Sequence, residues 1–137
     1  MTTRIIFLNC ILVFVILLLF HCKTDKTPTG YEISRSEAAT IVLNQIVASD
    51  TMERGVYLFP EIINNGNRVY SVLDSGHCVH YSSWFFFIDD MIAHDFGHPC
   101  RFVFVNCGNG NYEIFQESWP PKFLWENRME IVKEWSP

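Results

Sequence analysis

The chain reads as an α+β protein, with one N-terminal helix packed on a four- to five-stranded antiparallel sheet and a short C-terminal helix. Three observations predict this class. Apolar residues recur at helical spacing over residues 34–49, later stretches are rich in β-branched and aromatic residues, and Asn and Gly turn signals punctuate them. With 137 residues, 49% hydrophobic and 15% aromatic, the chain has enough apolar material for one compact domain.

The helix, SRSEAATIVLNQIVAS, opens with Ser34 and Glu37 at capping-box spacing, so that hydroxyl and carboxylate each satisfy a free amide. Ala39, Val42, Leu43, Ile46 and Val47 form its apolar stripe. VYLFPEII (56–63) and RVYSVL (68–73) flank Asn64, Asn65, Gly66 and Asn67, which predicts a hairpin between them. Pro60 within the first strand suits an edge or a bulge, because it has no amide to donate.

SWFFFID (83–89), RFVFVN (101–106) and NYEIFQ (111–116) supply the remaining strands. In RFVFVN, Phe102 and Phe104 point one way and Val103 and Val105 the other, which predicts an interior strand covered on both faces. The tail KFLWENRMEIVKEW fits a short amphipathic helix through Trp125, Arg128, Met129 and Val132, placed to cover the second face.

Ahead of this domain, residues 5–20 are apolar except for Asn9 and Cys10 and follow Arg4. As a helix they reach roughly 24 Å, short of the ~30 Å hydrocarbon layer, which favours a signal peptide over a permanent span. The segment Leu19, Phe20, His21, Cys22 followed by KTDKTPTG resembles a bacterial lipoprotein signal. The resemblance implies a signal peptide over residues 1–21 and lipid on Cys22. It also implies a tether over 22–32, a single domain over 33–137, and a place on the cell envelope, periplasmic or surface-facing. Phe20 and His21 stand where that pattern prefers small residues; an uncleaved anchor and simple secretion are the alternatives, and all three export the domain.

The part after Cys22 carries nine Lys and Arg against fifteen Asp and Glu, a formal balance of −6. That balance argues against nucleic acid, whose phosphates require basic patches. The opening ISRSEAATIVLNQI resembles the start of PepSY-type domains, and the order of elements resembles cystatin-like folds. The helix start, the Trp84 to Phe87 strand and the later Gly-turn hairpin also resemble small immunity proteins of polymorphic toxins. A cystatin-style Gln-x-Val-x-Gly inhibitory loop is absent. Asp89, Asp90 and the run His98 to Val105 are similar to a segment of short, uncharacterised bacterial lipoproteins, a kinship that implies no activity.

The stretch HDFGHPC, residues 94–100, raises the question of a metal or thiol site. A metal set of His77, His94, His98 and Cys100 matches no standard spacing. Gly97 and Pro99 oppose the helix that would pair His94 with His98. Cys100 with His98 as base would give a thiol enzyme, but no oxyanion loop accompanies them. The stronger reading is a loop leading into a buried strand, with no cofactor.

With Cys10 in the leader and Cys22 under lipid, Cys78, Cys100 and Cys107 remain. A regular strand separates Cys100 from Cys107 by roughly 23 Å, too far to bridge. If residues near 88 lie opposite those near 101, the register favours a Cys78–Cys107 disulfide; the alternative is three reduced thiols. The expectation is a non-enzymatic envelope module, immunity-like or inhibitor-like. It would meet an envelope or secreted protein through Asp89, Asp90, His94, His98, Trp119 and Trp125.

Overall fold

The computed structural model describes residues 33–47, 54–92 and 97–134. The leader, Cys22, the tether and His94 lie outside the described residues, and with them the readings that depend on them. Among the described residues, no helix is long and apolar enough to cross a membrane.

The capping box at the first helix is formed: the Ser34 amide donates to Glu37 Oε2 at 2.8 Å, and the Glu37 amide donates to Ser34 Oγ at 3.3 Å. Helix α1, Arg35–Ile41, continues as a π-helix over Val42–Val47. The fully buried residues are Ala38, Val42 and Val47. The step of five between Val42 and Val47 is one π turn, so the wider winding keeps both valines on the sheet. The Ile33 amide donates to the Cys107 carbonyl at 2.9 Å, and Trp84 Nε1 donates to the Ile33 carbonyl at 3.0 Å, so both ends of that contact fix where the helix begins.

Among the described residues seven strands follow: β1 Gly55–Leu58, β2 Arg68–Tyr70, β3 Gly76–Cys78, β4 Ser83–Asp89, β5 Cys100–Asn106, β6 Tyr112–Glu117 and β7 Glu130–Glu134. Helix α2, Lys122–Trp125, lies between β6 and β7. The main sheet is antiparallel in the order β6-β5-β4-β1-β7, and β2 pairs with β3 in a separate two-stranded sheet. The fold is therefore α+β, with the helix ahead of the sheet.

Alternation along the strands divides the core in two. Val56, Leu58, Trp84, Phe86, Ile88, Val103, Val105 and Cys107 pack with Ala38, Val42 and Val47 on the helix face. Phe85, Phe87, Phe102 and Phe104 pack on the other face with Val69 and Val79 beside the β2–β3 hairpin and with Phe123 of α2. Strand β5 is thus interior and covered on both sides, as its two apolar faces require.

Two expected elements are rearranged. The hairpin expected between 56–63 and 68–73 does not form, because β1 is taken by β4 and β7 while β2 pairs with β3. Gly66, at φ +83°, still turns the chain, but its amide donates to the Val79 carbonyl. The first segment does follow β4: the Phe59 amide reaches the Phe85 carbonyl, the ladder breaks at Pro60, and it resumes at Ile63 opposite Ser83. The expected tail helix is only the single turn of α2. Asn127, at φ +53°, ends it: the Arg128 amide donates to the Phe123 carbonyl and the Asn127 amide to the Leu124 carbonyl, a Schellman closure. Residues 130–134 then run as an edge strand on β1.

Candidate functional site

One end of the main sheet gathers most of the residues that sequence spacing singles out. Across β4, β5 and β6, Asp89 lies opposite Cys100 and Cys100 opposite Glu117, so these three side chains form a row on one face. His98 Nε2 meets Asp89 Oδ1 at 2.8 Å, and the same oxygen accepts the Met91 amide at 3.0 Å. From β3, His77 Nε2 meets Glu117 Oε1 at 2.6 Å, its ring lying between those of Phe115 and Phe102. Ser75 Oγ donates to the same Glu117 oxygen at 2.7 Å, and Ser71 and Ser75 share a hydrogen bond of 2.7 Å.

Burial, then the nearby carboxylates of Glu117, Asp89 and Asp90, push the Cys100 thiol up to about 12. Burial also pushes Cys107 up to about 11, offset in part by the Trp84 backbone. For Glu117 burial acts upward, but hydrogen bonds from Ser75 and His77, the His77 charge and the Ser118 amide outweigh it and hold the carboxyl below its usual range. A thiolate nucleophile needs the opposite environment from the one around Cys100. Ser75 bonds the carboxylate rather than the imidazole, so the hydroxyl, imidazole, acid order of a nucleophilic triad is not built here either.

Asp90 points elsewhere. Arg101 grips it with two bonds, Nε to Oδ2 at 2.8 Å and Nη2 to Oδ1 at 2.6 Å, while Arg54 Nε stands 3.3 Å from Oδ1. Asp89 ends β4 and Asp90 follows it, and the two have different partners, an imidazole for Asp89 and guanidinium groups for Asp90. Trp119 packs on Gly97, where an added Cβ would sit 2.8 Å from the indole and 3.1 Å from the Ser118 carbonyl. That close approach explains a glycine at position 97 better than helix breaking does. The His98 amide donates to the Ser118 carbonyl, completing the loop's attachment to the chain after β6.

The Cys78–Cys107 disulfide is not formed, and Cys78, Cys100 and Cys107 are all free. The expected register is present, with Ile88 opposite Arg101. However, Cys78 belongs to β3, whose neighbour His77 lies against Phe102 and Phe115, whereas Cys107 is buried on the helix face. The sheet separates the two thiols. Among the described residues, no three His, Cys, Asp or Glu side chains converge to hold a metal; His77 and His98 face different carboxylates.

Sequence reasoning missed the serines and Glu117, which have no motif spacing and meet only through the β2–β3 hairpin. Beside them lies a surface of which the sequence singles out only Trp125. Lys122 of α2 pairs with Asp74 in the turn after β2 and lies 5.6 Å from the Tyr70 ring. Around that pair Leu73 is 63% exposed and Trp125 73% exposed. Trp125 is three residues from Lys122 on the one-turn helix, on the same side.

The fold and these contacts define a small α+β domain whose polar sheet end is a structural tie and whose most exposed large apolar side chain, among the described residues, is Trp125 of α2. No protein family, curated protein or solved structure matches the chain.

Proposed function

We propose that this chain is a non-enzymatic binding module held at the cell envelope by lipid on Cys22, and that it engages another protein, in the manner of an immunity protein or inhibitor. The exposure of Trp125 carries the reading. A tryptophan left 73% open in a domain that buries six of its eight described phenylalanines, with Leu73 and Tyr70 on the adjoining hairpin, has the composition of a binding hot spot. The leader pattern supports the location, and the acidic balance suits a basic protein.

Of the other residues expected at the contact, Asp89, Asp90 and His98 already spend polar atoms on one another or on arginines, and Trp119 is half-buried on Gly97. Trp125 therefore leads the assignment. A photo-crosslinking amino acid placed at 125 or 73 in the full chain, expressed in its own host, should give one discrete adduct. The same group at Gln45, on the exposed side of the helix, should give none. Absence of an adduct at 125 and 73, or equal labelling at 45, overturns the reading. Cys22→Ser should release the protein from the membrane fraction.

A further inference from the structure

At the opposite end of the sheet from Asp89 and Glu117 lies a cavity of ≈ 230 Å³. It opens between the chain after β3 and the turn joining β5 to β6. Its lining combines the aromatic residues Tyr81, Phe104 and Tyr112 with Asn106, Asn109, Asn111 and Glu113. Tyr81 is 57% exposed, Tyr112 39% exposed and Phe104 buried, so the lining runs from open aromatic residues down to the core.

The turn orients the amides before any ligand arrives. Asn106 Oδ1 accepts the Gly108 amide at 2.8 Å, and Asn109 Oδ1 accepts the Asn111 amide at 2.9 Å. For Asn106 and Asn109 one acceptor position of the carbonyl is thereby taken by the backbone, and the amino end is left to donate. Glu113 supplies the complementary acceptor, steadied by His80 Nδ1 at 3.2 Å and 3.3 Å from its two oxygens.

This lining excludes several ligand classes. No Lys or Arg lines it, and Glu113 repels anions, so a phosphate or carboxylate finds no counter-charge. The asparagines and glutamate make it too polar for an acyl chain, and its size lies below the roughly 300–1,000 Å³ of sites for drug-sized molecules. A small, uncharged ring bearing several hydroxyls, with an apolar C–H face, meets all the constraints. The hydroxyls would accept from the amide Nδ2 groups and donate to Glu113, while the C–H face would lie on Tyr81. We propose that this cavity is a binding site for a single neutral pyranose unit of a saccharide.

The proposal stands apart from the protein-contact reading, since neither Trp125 nor Leu73 lines the cavity. The test is ligand-observed saturation-transfer NMR on the full chain in a detergent without a sugar headgroup. The probes are methyl glucopyranoside, methyl galactopyranoside and N-acetylglucosamine. At least one should receive saturation from the wild type. Tyr81→Ala should weaken it about tenfold, equivalent to ~1.4 kcal/mol, and Trp125→Ala should leave it unchanged. Asn111→Ala, in the exposed turn, serves the same purpose if Tyr81→Ala fails to fold. No transfer to any of the three probes, or wild-type affinity in the Tyr81 and Asn111 variants, overturns the proposal.

Discussion

His98 and Cys100 lie two positions apart, and in a regular strand both side chains would share a face. The strand begins only at Cys100, however, and His98 turns to Asp89 while Cys100 enters the core at 1% exposure. A desolvated thiol among three carboxylates stays protonated, so reactivity should follow burial rather than proximity to histidine. Iodoacetamide at pH 7 should modify Cys78, which is partly exposed, and spare Cys100 and Cys107 until denaturant is added. Peptide mass mapping of the alkylated protein checks this, and a Cys78–Cys107 bridge would show instead as two sites that denaturant alone never opens. Gly97 belongs to the same scale: Gly97→Ala drives a methyl group into Trp119 and should cost ~1–3 kcal/mol. Trp119 would be displaced toward solvent, and a red-shifted emission together with a lower urea midpoint would register it.

Between elements, the β2–β3 hairpin is held to the sheet by the Ser71, Ser75, Glu117 and His77 contacts and by the His77 ring between two phenylalanines. Glu117 is lowered on folding, so its contribution to stability is fully present above the unfolded carboxyl's ~4.3 and is lost as pH falls through the lower folded value. Glu117→Gln should therefore be less stable than the wild type at neutral pH, and the gap should close in acid. Urea unfolding of both proteins across that range measures it; a gap that is constant with pH would remove the carboxylate from the tie. The two strands at 83–89 and 101–106 were legible because short runs this rich in aromatic and β-branched residues favour a buried strand over a helix, even where both faces are apolar. The partner of β2 was not legible. Gly76–Cys78 is too short and too polar to declare a strand, and its pairing depends on where Val79 docks. The tail was misread for another reason: its spacing fits a helix, but Asn127 can adopt the left-handed conformation that ends one, and β1 offers an open edge to Ile131 and Val132.

For the molecule as a whole, the aromatic residues divide into those that make the fold and those the fold leaves outside. Phe85 is fully buried at the middle of the outer core, with ring centroids 5.4 Å from Phe102, 5.0 Å from Phe104 and 6.1 Å from Phe123, so it joins β4, β5 and α2 at once. Removing such a ring costs ~3–5 kcal/mol, set against the ~5–15 kcal/mol that holds a domain of this size together. Phe85→Ala should take away a large part of the stability and lower the urea midpoint sharply. Trp125→Ala, at the most exposed large apolar side chain of the described residues, should stay within ~0.5 kcal/mol of the wild type. Paired denaturation curves decide whether the two roles are separate. If Trp125→Ala destabilised the domain as Phe85→Ala does, the tryptophan would be part of the structure, and its exposure would no longer argue for a partner.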